Sequence, residues 1–293
     1  MNKQKLIYKL KAVRDKLIRI SELRPTSSSV SQQSLINSWR IRYKLGDTAP
    51  HVWDVGFREY SQNEEDGILL YIFSMIGMKN RTFVEICAGD GMECNTTNLT
   101  VHHGWTGLLV DGDPANILKA KQFYNHIAQT LIWPPKIVQK WVTAENINSL
   151  IQENGLTGEI DLLSIDVDGM DYWLWKAVDV IQPRVVVIEI NNRLGSEKKL
   201  TVPYKEDFQT EVTAAGSEYG GASISALTSL GKEKGYRFVG TNKICTNGFF
   251  IRDDIEHPWL VQTSPQEYFT HPRTRYHLDQ IQEKVLKKEW EEV

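Results

Sequence analysis

Residues Phe83 to Thr100 read FVEICAGDGMECNTTNLT: an apolar run, a turn on two glycines, then a polar stretch able to begin a helix. Strand, glycine turn and helix N-terminus in that order form the ligand-holding corner of an α/β protein. In a doubly wound sheet, ligands sit beyond the carboxyl ends of the strands. Gly89 and Gly91 let backbone approach a ligand closely. A dinucleotide fingerprint asks for a third glycine where this chain carries Cys94, so a pyrophosphate is poorly provided for. Glu85 in the strand and Asp90 in the turn would repel phosphates and suit a cationic ligand.

Outward from this corner the same pattern repeats. TGLLVDGD, KIVQKWV, IDLLSIDVDG, RVVVIEINN, YRFVG and NGFFIRDD read as further strands. PANILKAKQFYNHI, AENINSLIQENG, MDYWLWKAVDVI and ASISALTSLGKEKG read as the helices between them, and SQNEEDGILLYIFSMIG as one before the first strand, from near Ser61 to Gly77. Strands apolar on both faces, alternating with helices, predict a doubly wound, Rossmann-like parallel sheet covered by helices. Asp111 ends the second strand, where a carboxylate accepts hydrogen bonds from ribose hydroxyls. A ribose grip, tolerated positive charge and no phosphate grip together describe S-adenosylmethionine. Taken alone, the glycines are also compatible with a bare connecting turn.

The motifs FVEICAGDG, GWTGLLVDGDP, DLLSIDVDGMDYWLW and VVVIEINN resemble those of class I S-adenosylmethionine-dependent methyltransferases. With YSQNEEDGIL, VPYKEDF, YGGAS and NGFFIRDD they are similar to the FkbM-like branch, over roughly residues 57–254. The resemblance implies a seven-stranded sheet with its last strand antiparallel, and methylation of a hydroxyl on a glycan or small natural product. It implies cofactor contacts from Ser61, Gln62, Glu85, Ala88, Gly89, Asp90, Gly91, Asp111, Gly112, Asp113, Glu145 and Asp166. Cys87 and Ala88 depart from it, standing where many such enzymes have a small residue and glycine.

SIDVDGMDYW places Asp166, Asp168 and Asp171 around one strand-to-helix turn, with Asp166 and Asp168 on one strand face. The next strand ends in Glu189, Asn191 and Asn192. Neighbouring parallel strands end at one rim, so Asp166, Asp168, Glu189 and Asn191 can converge as oxygen ligands for Mg²⁺ or Mn²⁺. The arrangement resembles catechol-type O-methyltransferases, which implies a cation that orients and acidifies the acceptor hydroxyl. On the alternative reading Asp168 caps the following helix, the acids hold the cofactor's amino group, and Glu189 turns inward as a buried hydrogen-bonded acid. Asp166-x-Asp168-Gly also resembles the nucleophile motif of haloacid-dehalogenase-type phosphatases and the metal motif of sugar-nucleotide glycosyltransferases. A binding module without chemistry is the remaining rival. His271 or His277 in the tail would serve as a base, Tyr172, Trp173 and Asn192 would meet the acceptor, and Tyr219 with Gly220 and Gly221 would form a hinged lid.

The chain has 293 residues, about two-fifths of them hydrophobic, and a formal net charge of -3. That balance argues against nucleic acid as a partner. No stretch approaches the ~20 apolar residues of a membrane span, and the three cysteines form no C-x-x-C pair. A cytoplasmic protein is expected. Residues 1–24 read as a basic amphipathic helix, docking on a membrane surface, on the domain or on a second copy in a homo-oligomer. RPTSSSVSQQS reads as a linker and the tail from Arg273 as one charged helix. The expected organisation is an arm over 1–50, the catalytic domain over 51–255 and a mainly helical extension over 256–293.

Overall fold

Seven runs rich in Val, Ile, Leu and Phe pair side by side into one sheet: β1 (Thr82–Ile86), β2 (Thr106–Asp111), β3 (Lys136–Gln139), β4 (Gly158–Ile165), β5 (Ile181–Glu189), β6 (Tyr236–Thr241) and β7 (Asn247–Arg252). Their order is β3-β2-β1-β4-β5-β7-β6. β7 is antiparallel to both neighbours, while the other pairs are parallel. This is the doubly wound architecture expected from the alternating pattern. The computed structural model describes residues 27–293 apart from 211, 214, 215 and 218. The basic helix expected over 1–24 lies outside the described residues.

Alternate residues of each strand feed opposite faces, as the two-residue period of a strand requires. Val84, Ile86, Val110, Leu163, Ile165 and Ile188 pack beneath α5 (Ile147–Glu153), α6 (Asp171–Ala177) and α7 (Ile224–Glu233). Phe83, Leu109, Leu162, Val187 and Phe249 pack beneath α1 (Ser27–Lys44), α2 (Glu65–Ile76) and α3 (Thr97–His103). Pro114 opens α4 (Pro114–His126), with Asp113 as its N-cap. No described helix is long and apolar enough to cross a membrane.

Three local readings change. The part of RPTSSSVSQQS from Ser27 onward is helical, in α1, rather than a linker, because Gln32, Ile36 and Trp39 recur at helical spacing and are buried. The helix expected to reach Ile181 stops at Ala177; Gly158 N bonds to Val180 O, and Ile181 already pairs as the start of β5. The tail is two short helices, α8 (Pro272–Gln280) and α9 (Gln282–Val285), then Glu291–Glu292 paired with Leu200–Thr201. Burial of Thr274, His277 and Val285 ties it to the domain, which a solvated helix would not be.

α2 begins at Glu65 and not near Ser61, for a reason visible in hydrogen bonds. Asp66 Oδ2 accepts from Glu59 N, Tyr60 N and Ser61 N at 2.6–2.8 Å, and Ser61 Oγ accepts from Asp66 N, closing a turn ahead of the helix. Burial outweighs these donors and raises the Asp66 carboxyl to about 6. A carboxyl raised in the folded state favours folding at low pH, and that contribution is lost as pH rises from about 4 through about 6. Asp66→Asn is therefore expected to flatten the fall in melting temperature over this window. Thermal melts from pH 4.5 to 7 check this; an unchanged slope would refute it.

Candidate active site

The carboxyl rim of the sheet is laid out by register. Ile86 pairs with Val110 and Ile165, and Ile165 with Ile188. One residue further along, Asp111, Cys87, Asp166 and Glu189 stand in a row, and Asn247 extends it by pairing with Glu189. Partners in register share a face, so five strands present one polar edge.

At one end the glycine turn and Asp111 hold each other. Asp111 Oδ2 accepts from Gly89 N at 2.9 Å, and Oδ1 accepts from Asp113 N at 2.8 Å and Asn116 Nδ2 at 3.2 Å. A carboxylate offers about four acceptor positions, which leaves one for a ligand hydroxyl. Gly89 (φ +54°) faces open space, whereas a Cβ at Gly91 (φ +70°) would lie 2.8 Å from Ala120 Cβ. Both take left-handed backbone, but only Gly89 lies open to a ligand. A cavity of about 310 Å³ begins at Asp111. Asp111, Gly112, Trp141, Thr143, Asp168, Tyr204 and Phe208 are among its walls. The Trp141 indole lies over Gly112, where a Cβ would be 3.1 Å from the ring, and Trp141 Nε1 donates to Glu206 O at 2.9 Å.

At the other end, carboxylate oxygens of Asp166, Asp168 and Glu189 lie within 4.8 Å of one another. Burial pushes Asp166 well above the usual carboxylate range, and the nearby Asp171 and Asp168 push it further. Glu189 is raised by burial and then by Asp166, although the Asp168 N–H donates to it. Asp168 has φ +55°, uncommon for a residue with a side chain. Its loop is held by Asp171, whose oxygens accept from Val167 N at 2.9 Å and Gly169 N at 3.0 Å. The α6 cap is Met170, without a side-chain bond, so Asp168 does not cap that helix.

Two further cavities meet this cluster. One of about 250 Å³ is lined by Gln62, Cys87, Asn95, Asp166, Asp168, Glu189 and Asn247, and one of about 240 Å³ by Gln62, Asp168, Glu189, Arg193, Arg273 and His277. Asp168 lines all three. His277 Nδ1 lies 2.9 Å from Asn192 Oδ1, while Asn192 Nδ2 donates to Ile244 O. With that oxygen facing the ring, Nδ1 carries the proton and Nε2 keeps its lone pair. Burial, then Arg193 and Arg273, lowers His277 below its ordinary value.

Several expected site residues serve other roles. Glu85 is 4 % exposed and accepts from Asn95 N, Thr96 N, Thr96 Oγ1 and Ser164 Oγ. These four donors occupy its acceptor positions, so it anchors the start of α3 from the wall of the second cavity. Ser61 Oγ is committed to the turn before α2, Asp90 Oδ1 accepts from Met92 N, Ala88 is buried, and Asp113 caps α4. Glu145 is exposed, accepts from Tyr204 Oη and lines none of the three cavities. Asn191 gives its amide to Gly220 O and its oxygen to Arg193 N. Tyr172 is buried in the core and Trp173 Nε1 donates to Val202 O, which leaves both outside the three cavities. His271 caps α8 and lines none of them. Tyr219 Oη donates to Glu289 O, Gly221 N to Gly169 O, and a Cβ at Gly220 would lie 2.4 Å from Asp168 O. That segment is packed down rather than hinged. Gly112, Gln62, Glu85, Asn191 and Asn192 do line the cavities.

No protein-family model and no curated protein matches this chain. Solved structures with a similar fold include an S-adenosylmethionine-dependent methyltransferase from Clostridium acetobutylicum ATCC 824, at 11 % identity over 60 % of this chain and 86 % of that one, TM-score 0.37. An O-methyltransferase family protein from Burkholderia thailandensis matches at 14 % identity over 64 % and 57 %, TM-score 0.37. Magnesium protoporphyrin IX methyltransferase from Synechocystis PCC 6803, with bound S-adenosylmethionine, matches at 10 % over 64 % and 77 %, TM-score 0.36. Likeness this loose carries no weight for the reaction, which rests on the site's own residues.

Proposed function

We propose that the chain is an S-adenosylmethionine-dependent O-methyltransferase, assisted by a divalent cation, acting on a hydroxyl of a glycan or small natural product. One observation supports it above the others: Asp168 joins a cavity walled by Asp111 and Gly112 to two cavities walled by the acid cluster. The first cavity fits an adenosyl group, with Trp141 as a face for the base and one Asp111 acceptor position for a ribose hydroxyl. S-adenosylmethionine supplies a methyl group activated by its sulfonium charge, and the neighbouring carboxylates favour that charge. Asp166, Asp168 and Glu189 would hold the cation, which supplies Lewis acidity toward an acceptor hydroxyl. Asp168 and Glu189 face the third cavity as well, so the residues that hold the cation also position the acceptor. No lysine or arginine among the described residues lines the second cavity, which disfavours the phosphatase and glycosyltransferase readings there. A cytoplasmic setting accords with three free thiols.

Calorimetry with S-adenosylhomocysteine tests this reading. The unaltered chain should bind it, and Asp111→Ala should weaken binding by about 1.5–3 kcal/mol, one charge-assisted bond. Binding by the unaltered chain to a uridine-diphosphate sugar and not to S-adenosylhomocysteine would overturn it.

A further inference from the structure

Glu65 is fully buried at the start of α2 and takes no part in the chemistry above. Its Oε1 accepts from Asn242 Nδ2 at 2.6 Å and from Asn247 Nδ2 at 3.0 Å, and its Oε2 from Asn63 N at 2.9 Å. The two ends of an asparagine amide are alike in shape but not in polarity, and a carboxylate accepts only from the NH₂ end. Glu65 therefore decides how Asn247 lies: nitrogen toward the carboxylate, oxygen away from it. That oxygen is buried and meets no hydrogen-bond donor among the described residues, in a side chain only 4 % exposed. A buried acceptor without a donor is uncommon and unfavourable unless something else approaches it.

What approaches it is indicated by position. Asn247 opens β7 directly opposite Glu189 in β5, so both side chains project from one face of the sheet. Asn247 lines the second cavity together with Asp166, Asp168 and Glu189. Those three carboxylates already bring oxygens within 4.8 Å of one another. An amide oxygen is a good partner for a hard cation and adds no charge to an already acidic cluster.

We infer that Asn247 Oδ1 is the fourth, neutral oxygen ligand of a divalent-cation site formed with Asp166, Asp168 and Glu189, and that Glu65 is the positioning residue that aims it. This rests on the cation-assisted reading above. Four protein oxygens leave room in an octahedral shell for the acceptor hydroxyl and water. The buried Glu65 thereby has a purpose its depth does not explain: it holds a ligand's amide from the side away from the cation.

The test is titration of the full-length chain with Mn²⁺, followed by the loss of the free-ion electron paramagnetic resonance signal. Asn247→Leu keeps much of the volume and removes both polar ends. Asn247→Asp also loses the NH₂ bond to Glu65 but keeps an oxygen. Mn²⁺ affinity should fall at least ten-fold in Asn247→Leu and stay within a few-fold of the unaltered chain in Asn247→Asp. A role confined to structure would weaken both alike, because both lose the Glu65 bond. Circular dichroism without metal verifies folding, and Asn247→Ala replaces the leucine variant if that does not fold. Full affinity in the oxygen-free variant, or equal loss in both, overturns the Asn247 assignment and leaves the cation reading standing. An unaltered chain that binds no Mn²⁺ overturns both.

Discussion

Asp161→Ala should lower folding stability by about 3–5 kcal/mol, the range for removing one partner of a buried ion pair. Asp161 is fully buried in β4 and bonds to Arg184 Nη1 at 2.7 Å. The same carboxylate accepts from Lys79 N, Asn80 N and Arg81 N, and so pins the turn that leads into β1. Arg184 also donates to Ile76 O and Gly77 O, the carbonyls where α2 ends. Alanine would strand a guanidinium and three amides together. Arg184→Met in the same chain should restore only part of the loss, since the amides stay unpaired. All of these groups lie at the amino ends of the strands, opposite the polar rim. The folded fraction should therefore bind S-adenosylhomocysteine as before. Urea titration gives the first quantity and calorimetry the second; a loss below about 1 kcal/mol would contradict the assignment of Asp161 as the clamp between β1, β4 and β5.

The sheet was legible because its strands are buried on both faces and read as unbroken apolar runs. The rim acids were legible for a related reason: Asp111, Asp166 and Glu189 are polar residues directly following such runs. What a side chain does once at the rim was less visible. Glu85 sits in the strand facing α3, and the start of that helix claims its carboxylate; spacing alone does not show this. Trp141 and Tyr204 wall the first cavity from segments on either side of β4 and β5, and no local motif joins them. Asn247 is aimed by Glu65 from 182 residues away. His277, and not His271, reaches the site because the tail folds back on the domain, which its charge pattern concealed.

Asp168→Ala should abolish most methyl transfer, by about 10²–10⁴-fold, the contribution typical of a positioned group that handles a proton in the transition state. A hydroxyl is a poor nucleophile near neutral pH, so its proton must be removed or its oxygen polarised. Among the described residues only Asp168 is common to the three cavities, and its backbone there is left-handed. Affinity for S-adenosylhomocysteine, which carries no sulfonium charge, should change little, because the Asp111 grip on the ribose is untouched. EDTA should produce the same loss, and Mn²⁺ should restore the unaltered chain but not Asp168→Ala. The measurement is S-adenosylhomocysteine released over a panel of hydroxylated acceptors. Undiminished release in EDTA would remove the cation from the mechanism and leave the proton to a side chain. His277 would then be the base, since its Nδ1–H donates to Asn192 Oδ1 and Nε2 is left with a lone pair in a side chain that lines the third cavity. In that case His277→Gln, and not chelation, would stop the reaction, and activity would fall as pH drops through the histidine's lowered titration range.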